Sequence, residues 1–462
     1  MTIDDVIQEA LKIYKPTLRE EEALLEIADK IISEVGRESS GYSGILKTSL
    51  EGSLAKRTWV RGREEVDVFV HFYPTIPHDE MESKIIDLGF KVLEKLGGKP
   101  RLMYADHPYV ESRLENVVVN IVACYSVEPP NWISATDRTP YHTRYILEKM
   151  DQSLRDDARL MKAFMIGCNV YGAEIKIRGF SGYLAELLIL NYNGFKNALE
   201  AISNWRPPII IDIEGYYNSY SEVLSLFPKQ SLIVIDPVDK FRNVASAVSE
   251  ERLYELILAS KLFLRSPSLK FFKVGRHLPK RSNLEKKTRN RNFIAVFFRL
   301  SKSKPPDILW GEIKKSEQGI KRSLEKNGFR IYRTASWTDE EKNCLIILEL
   351  EYSMLPRIII HEGPPVTHPN VLEFIDEWSR REEKVAGPWI SGSRLYVLKK
   401  KQLIDVKKIL KRDIEEGRVA LAKGLAEDIK NGRIFTSIER LMKYKQLSVF
   451  LGEFLDGKPP YL

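Results

Sequence analysis

The sequence predicts an α+β protein made of several domains. A chain of 462 residues is too long for one ordinary hydrophobic core and predicts about two to four domains. Helix and strand patterns alternate within the first 125 or so residues, and a mainly helical stretch follows over 145–205. A second mixture of strands and helices begins near residue 293. Hydrophobic residues form 43% and charged residues 29% of the chain, which is typical of a globular protein.

The first region begins with an amphipathic helix and continues into buried strands. Thr17 and Glu20 have the spacing of a capping box, and apolar residues at helical spacing follow them as far as Val35. We therefore predict a helix over 17–35, with Gly36 just past its end. A turn region rich in Gly and Ser leads to an apolar strand over 66–72, and a second buried strand is predicted over 116–125. A helix is predicted between them, over 79–96. Together these elements predict one small mixed sheet with helices.

Helices dominate the middle of the chain, and strands return after a basic stretch. The run Leu187 to Tyr192 is typical of the buried part of a helix. Residues 280–291 are rich in Lys and Arg and are predicted to form a loop at a domain boundary. Beyond it the pattern indicates a small α/β sandwich, and Lys-rich helical sequence dominates from Lys400 onward. The three expected domains cover residues 1–150, 151–265 and 266–462.

Charge and cysteine content narrow the classes of protein. The net charge of +8 and a pI near 9.0 suit a polyanionic partner such as nucleic acid. Three scattered cysteines, without CxxC spacing, indicate buried thiols rather than a disulfide framework or a zinc site. The apolar runs are too short to span a bilayer, and the amino-terminal residues lack an apolar signal-peptide core. We therefore expect a cytoplasmic protein with no membrane partner.

The most informative segment is GSLAKRTWVRGREEVDVFV, residues 52–70. The Gly52-Ser53 turn can direct backbone N–H groups and a hydroxyl toward a phosphate. Glu65 and Asp67 lie two residues apart on a predicted strand, so their carboxylates point to the same face. Two such carboxylates can share divalent cations with a triphosphate, and magnesium suits this role because it prefers oxygen ligands. Taken alone, a Glu-x-Asp pair is equally typical of a solvated strand edge.

This segment resembles the signature of the DNA polymerase β-like nucleotidyltransferase superfamily, a Gly-Ser turn followed by two acids on a strand. More narrowly, the chain is similar to the archaeal, class I CCA-adding enzymes along nearly its whole length. The further motifs that carry this similarity are ATDRTPYHTRYI (135–146), NVYGAEIKIRGFSGYLAELLI (169–189), DPVDKFRNVA (236–245), PDILWGEIKKS (306–316), HEGPPV (361–366) and GPWISGSRLYV (387–397). The resemblance implies a polymerase β-like head with a mixed sheet and helices, a helical neck, and an α/β RNA-binding body and tail.

The resemblance also implies an activity and its partners. Members of this family add C, C and A from CTP and ATP to the 3′ end of tRNA without a template, with two metal ions and release of pyrophosphate. The implied partners are the acceptor stem, T-arm and 3′ end of tRNA, and the family usually forms homodimers. Another polymerase β-like transferase, such as a poly(A) polymerase, is an alternative, but the motif PDILWGEIKKS argues against it.

The resemblance assigns roles to individual residues. The positions that match nucleotide-binding residues of the family are Gly52, Ser53, Lys56, His142, Lys162, Tyr171 and Arg242. Among these, His142, Lys162 and Tyr171 match positions that hold the triphosphate, and Arg242 matches the arginine that hydrogen-bonds the incoming base. The two metal-binding acids of the family correspond to Glu65 and Asp67, with Mg²⁺ as the expected cofactor. Without the resemblance, a helix lysine or a core histidine would be the simpler interpretation of such residues.

One position departs from the family pattern. The family has a third carboxylate on the neighbouring strand, where this sequence has Asn120. Asparagine offers a carbonyl oxygen, but it brings no charge and cannot act as a base. Three explanations are open: an engineered change, a natural variant with slow catalysis, or a paralogue that binds tRNA without adding nucleotides. Because Glu65 and Asp67 remain, we expect Asn120 to lower the rate of chemistry far more than nucleotide binding.

Basic residues in the carboxy-terminal half are candidates for RNA phosphate contacts, which provide most of the affinity of such proteins. The candidate RNA-binding residues are Lys286, Lys287, Arg289, Arg291, Lys314 and Lys315. Each lysine run is, by itself, more typical of a solvated helix face. The resemblance implies that this half of the chain holds the acceptor stem and T-arm by their shape, as A-form RNA favours.

Overall fold

The computed structural model describes residues 2–104, 107–273, 279–402, 404–441 and 445–462. The chain divides into two compact units. The first unit contains Met1–Arg276, Pro305–Ile308 and Lys458–Leu462, and the second contains His277–Lys304 and Leu309–Gly457. The finer boundaries expected at residues 150 and 265 stay a prediction. Within the described ranges, no helix combines the length and the apolar character needed to cross a membrane.

The amino-terminal part of the first unit is a five-stranded mixed sheet with helices. Its helices are α1 (Ile3–Tyr14), α2 (Leu18–Ser39), α3 (Gly52–Ala55) and α4 (His78–Lys95). Its strands are β1 (Ile45–Glu51), β2 (Glu65–Phe72), β3 (Arg101–Tyr104), β4 (Pro108–Leu114) and β5 (Val117–Tyr125). The strand order is β1-β2-β5-β4-β3, and only β2 and β5 run parallel. Val66, Val68 and Val70 of β2 are fully buried in a core shared with α2 and α4, so the alternate residues of this strand face the other way.

The start of helix α2 was predicted correctly from the local sequence, but its end was not. The predicted capping box is present, because Thr17 accepts a hydrogen bond from the Glu20 N–H and Glu20 accepts one from the Thr17 N–H. The predicted end near Val35 was too early, because the helix continues through Gly36 to Ser39. Gly36 is not among the glycines with positive φ, so it does not terminate the helix.

The rest of the first unit is mainly helical, as predicted. Its helices are α5 (Thr139–Lys149), α6 (Gln152–Gly167), α7 (Gly182–Tyr192), α8 (Phe195–Ser203), α9 (Tyr220–Leu226) and α10 (Glu250–Arg265). A small sheet, ordered β6-β7-β8, contains β6 (Ile209–Ile211), β7 (Leu232–Asp236) and β8 (Asp239–Asn243). Leu187, Leu188 and Ile189 of α7 are fully buried, which confirms the predicted buried helix.

The second unit contains two antiparallel sheets with helices, which confirms the predicted α/β sandwich. Its strands are β9 (Asn292–Arg299), β10 (Ile331–Thr338), β11 (Asn343–Leu350), β12 (Ile358–Pro365), β13 (Lys384–Ser391), β14 (Arg394–Lys400) and β15 (Arg433–Phe435). Its helices are α11 (Arg281–Thr288), α12 (Pro306–Lys326), α13 (Val371–Arg380), α14 (Val406–Glu415), α15 (Ala426–Lys430) and α16 (Lys445–Asp456). The sheets have the orders β10-β11-β9-β15 and β12-β14-β13.

The loop predicted over 280–291 was wrong, because the structure has helix α11 there. The segment lacks the apolar stripe that predicts an amphipathic helix. The one apolar side chain of this helix, Leu284, is buried in a core with Leu447 and Leu451. The Thr288 hydroxyl also donates to Glu439 Oε1 at 2.8 Å. These tertiary contacts hold a polar helix on the surface and leave little trace in the local sequence.

Candidate active site

Two carboxylates and one amide meet on neighbouring parallel strands. Asp67 on β2 lies in register with Asn120 on β5. The Asn120 side-chain Nδ2 donates to Glu65 Oε1 at 2.7 Å and to Asp67 Oδ1 at 2.9 Å. Glu65 and Asp67 lie on the face of the strand opposite its buried valines. The structure therefore brings together the three positions that the sequence singled out on these two strands.

Like charge dominates the electrostatics of this group. The Asp67 carboxylate is the main cause that raises the pKa of Glu65 to about 7, and burial raises the pKa of Asp67. Among the described residues, neither acid forms an ion pair with a lysine or arginine, and the Asn120 Oδ1 atom is buried without a hydrogen-bond partner. A cluster of oxygen ligands with uncompensated negative charge has the chemistry that suits a divalent cation such as Mg²⁺.

Two further acids border this group on the same face. Glu51 on β1 is in register with Asp67, and Glu111 on β4 is in register with Asn120. Arg101 donates two hydrogen bonds to Glu111, at 2.6 and 2.9 Å, so that acid already has a cationic partner. Glu51 is buried, which raises the pKa of its carboxyl. The third-carboxylate position itself therefore stays an amide, with one paired and one buried acid beside it.

Gly52 makes room for the second acid. Its φ is +74°, in the left-handed region that favours glycine, and a Cβ atom at this position would lie 1.9 Å from Asp67 Oδ2. Ser53 follows it in the short helix α3 and is half-buried. The predicted Gly-Ser turn thus lies directly against the acid pair, and both the backbone conformation and the close approach of Asp67 require glycine.

Lys56 and Lys162 meet at a buried carboxylate, Glu186, that the sequence analysis missed. Lys56 Nζ donates to Glu186 Oε2 at 2.6 Å, and Lys162 Nζ donates to Glu186 Oε1 at 2.7 Å. The Thr58 hydroxyl donates to the same Oε1 at 2.5 Å. Burial opposes ionisation of Glu186, but the two lysines lower its pKa to about 2, while burial lowers the pKa of Lys162 to about 8. Two lysines against one carboxylate leave a net positive charge here.

His142 and Arg242 meet at a second buried carboxylate, Asp236, which the sequence analysis also missed. His142 Nε2 lies 2.9 Å from Asp236 Oδ2, and Arg242 Nη1 donates to the same oxygen at 2.7 Å. The Tyr183 ring stacks on His142 with 4.0 Å between ring centroids, and its hydroxyl donates to Asp236 Oδ1 at 3.3 Å. Burial lowers the pKa of His142, and Asp236 opposes that shift.

Tyr171 lies beside the Glu186 cluster in the first unit. A Cβ atom on Gly182, at the start of α7, would lie 2.8 Å from the Tyr171 hydroxyl and 3.6 Å from Lys162 Cε. Lys56 Nζ lies 5.4 Å from the centre of the Tyr183 ring, which links the Glu186 and Asp236 clusters. The five predicted nucleotide-binding side chains outside the Gly-Ser turn are therefore contiguous.

Comparison with known proteins identifies the family. Residues 156–273 match the sequence model described as the second domain of tRNA nucleotidyltransferase, and residues 289–437 match that of the CCA-adding enzyme C-terminal domain. A CCA-adding enzyme from Pyrobaculum islandicum is 34% identical over 430 residues, which cover 92% of this chain and 97% of the relative. The chain belongs to the CCA-adding enzyme family.

Further relatives and one solved structure complete the comparison. The CCA-adding enzyme of Methanothermobacter thermautotrophicus is 34% identical over 84% of this chain and 83% of its own length. That of Methanopyrus kandleri is 37% identical over 79% of this chain and 78% of its own length. The Cid1 poly(U) polymerase bound to 3′-dATP is 14% identical, with a TM-score of 0.46, over 59% of this chain and 98% of its own, which is too distant to support a conclusion. Membership of the CCA-adding family confirms the resemblance, and it gives the inactive paralogue no support.

The two residues that sequence reasoning missed, Glu186 and Asp236, had weak but visible signals. Each is an acid at the edge of or inside an apolar run: Glu186 within LAELLI of α7, and Asp236 at the end of LIVID in β7. A buried acid is costly unless it is paired, so an acid in such a run indicates a cationic partner. The partners could not be named from the sequence, because Lys56 lies 130 positions from Glu186 and His142 lies 94 positions from Asp236.

Some of the candidate RNA-binding residues of the second unit form ion pairs within the protein, and the others do not. Three of the six form ion pairs: Lys287 with Asp456, Arg291 with Glu349, and Lys314 with Glu317. The other three, Lys286, Arg289 and Lys315, are exposed and have no ion-pair partner within the described part of the chain. Among these six residues, the charges of the latter three are therefore uncompensated by an ion pair.

Proposed function

We propose that this chain adds C, C and A from CTP and ATP to the 3′ end of tRNA without a template, releasing pyrophosphate. Membership of the CCA-adding family over 92% of the chain supports this activity. The observation that carries the chemistry is the pair of carboxylates, Glu65 and Asp67, on one face of β2, with Asn120 hydrogen-bonded to both.

Glu65 and Asp67 are the proposed ligands of Mg²⁺. The all-oxygen donor set and the raised pKa of Glu65 support a cation here, because a positive charge would relieve the repulsion between the two acids. The buried, unpartnered Asn120 Oδ1 is a further oxygen that can turn toward a metal. When bound, two such ions would activate the 3′-hydroxyl of the tRNA and stabilise the leaving pyrophosphate. Asn120 itself cannot accept the proton of that hydroxyl.

The contiguous side chains Lys56, His142, Lys162, Tyr171 and Arg242 are the proposed nucleotide site. Lys56 and Lys162 share one carboxylate, so their remaining positive charge is available for a triphosphate. His142 and Tyr171 add donors beside them. Gly52 and Ser53 precede both Lys56 and the acids in the sequence, and Gly52 packs against Asp67. Arg242, whose side chain is 39% exposed, is the proposed contact to the base.

The partners proposed for the second unit follow from the same activity. Lys286, Arg289 and Lys315 would contact phosphates of the tRNA acceptor stem or T-arm, and this contact would weaken with salt. The homodimer, the cytoplasmic location and the separate head, neck and body domains stay predictions.

The experiment is extension of a tRNA that ends at the discriminator base, with Mg²⁺ and each nucleoside triphosphate in turn. We expect incorporation of CTP and ATP alone, with the product ending at CCA. Long adenosine tails would instead indicate a poly(A) polymerase. Retained tRNA binding without any product, in both Mg²⁺ and Mn²⁺, would contradict the proposed activity.

A further inference from the structure

Asp236 holds two residues of the proposed nucleotide site with one oxygen. Its Oδ2 atom lies 2.7 Å from Arg242 Nη1 and 2.9 Å from His142 Nε2. Its side chain is fully buried at the end of β7, and no other carboxylate in the described residues contacts either partner. The base-contacting and the triphosphate-contacting residues therefore share one anchor.

The anchor itself is held rigidly. Asp236 Oδ1 accepts from the Val238 N–H at 3.1 Å and from the Tyr183 hydroxyl at 3.3 Å. Tyr183 also stacks on the His142 ring. Both carboxylate oxygens of Asp236 therefore have hydrogen-bond partners, which limits the rotation of this side chain.

Arg242, in contrast, depends on this anchor. Its side chain is 39% exposed, and within the described ranges its only hydrogen-bond partner is Asp236. A long arginine side chain without a partner samples many rotamers. Fixed by one nitrogen, its guanidinium can present its remaining N–H groups in a set direction.

We propose that Asp236 is a positioning residue for nucleotide selection, acting through Arg242 on the base and through His142 on the triphosphate. This inference rests on the proposed function, in which Arg242 meets the base. The ring atoms N3 of cytosine and N1 of adenine accept hydrogen bonds, whereas the corresponding atoms of uracil and guanine carry a hydrogen. A fixed row of guanidinium donors suits the first pair and opposes the second, and a mobile guanidinium discriminates less.

The test measures binding without turnover. CTP and UTP are titrated by calorimetry into the full chain bound to a tRNA whose 3′ end lacks the attacking hydroxyl. For Asp236→Asn we expect weaker CTP binding, because the negative charge that His142 and Arg242 share is lost. We also expect a CTP-to-UTP affinity ratio lower by about tenfold or more. Incorporation of CTP against UTP into normal tRNA should show the same loss of selectivity.

The matched control is Asp413→Asn. Asp413 is also a buried aspartate that accepts from an arginine, Arg412, and from Ser323 and Asn327, but it lies in the second unit. Its replacement should lower thermal stability and leave the CTP-to-UTP ratio at the wild-type value. A merely structural role for Asp236 would give the same result for both variants.

Arg242→Ala keeps the inference falsifiable if Asp236→Asn does not fold. The Arg242 side chain is partly exposed, so its removal should be tolerated. Asp236→Glu keeps the negative charge but shifts its position. It should lower the CTP-to-UTP affinity ratio when Arg242 is present, and it should not change that ratio in a chain that also carries Arg242→Ala. Equal ratios for wild type and both Asp236 variants would overturn the inference. A wild-type chain that binds CTP selectively but incorporates none would instead contradict the proposed function alone.

Discussion

Glu65 and Glu349 are both strand glutamates, but their surroundings are opposite. Glu65, on β2 of the first unit, has Asp67 as its main charged neighbour, and that like charge raises its pKa to about 7. Glu349, on β11 of the second unit, accepts hydrogen bonds from Arg291 at 2.6 and 2.8 Å and from Arg333 at 2.8 Å. Although burial works against it, the two arginines hold the pKa of Glu349 below its usual range.

The difference in neighbouring charge distinguishes a carboxylate that stabilises the fold, Glu349, from one that suits a bound cation, Glu65. The charge of Glu349 is neutralised within the fold, so its loss leaves two arginines without a partner. The charges of Glu65 and Asp67 repel each other, which destabilises the metal-free fold. A bound cation would reduce this repulsion. The same residue type thus has different roles, and the neighbouring charges decide which.

The largest expected effect is on catalysis, in Asp67→Asn. The amide keeps the shape but removes one of the two charges, so incorporation of CTP should fall by roughly 1000-fold. The thermal midpoint of the metal-free chain should stay equal or rise, because a repulsion is lost. A quenched-flow assay and a thermal melt check the two parts. Near wild-type incorporation would show that this acid pair is not the metal site.

Glu349→Gln should lower the stability of the second unit, in contrast to Asp67→Asn, which should lower the rate of catalysis. Removing one partner of a buried ion pair costs about 3 kcal/mol of unfolding free energy, because the two arginines keep their charge without compensation. Urea denaturation of the second unit, followed by tryptophan fluorescence, measures the change. The double variant Glu349→Gln with Arg333→Met should recover part of the loss; an unchanged midpoint in the single variant would contradict the comparison.

Asn120→Asp adds a third negative charge to the repulsive group. It should raise the rate of CTP incorporation by up to roughly 100-fold, as expected for a new proton acceptor, while CTP affinity changes little. Without metal the variant should melt at a lower temperature than wild type, and Mg²⁺ should reverse that order. Asn116→Asp, on the turn before β5, is the matched control for an added charge. Equal rates for Asn120→Asp and wild type would exclude a role for the missing carboxylate.

The smallest effect is on the pH dependence of Mg²⁺ binding. Because the folded pKa of Glu65 is raised above its usual value of 4.5, its proton must leave before a cation binds. Mg²⁺ affinity should therefore rise by about tenfold per pH unit between pH 5 and 7 and level off above. The same raised pKa means that metal-free stability falls as pH rises through this window. Glu65→Gln should remove this slope, and a flat wild-type profile would contradict the raised pKa.

The sequence alone predicted what depends on neighbours along the chain. The acids Glu65 and Asp67 share a face because strands have a period of two, and the Gly52-Ser53 turn is adjacent to them in the sequence. The capping box at Thr17 and the buried run in α7 were predicted for the same reason, since both are local patterns. Family motifs extended these predictions to basic residues that periodicity alone could not have selected.

The tertiary structure decided which charges meet. Lys56 lies 130 positions from Glu186 and His142 lies 94 positions from Asp236, so these pairings depend on how α7 and β7 pack against other elements. Helix α11 depends in the same way on the burial of Leu284. Electrostatic energy depends on distance in space and on burial, neither of which a sequence pattern contains, so only the folded chain distinguishes Glu65 from Glu349.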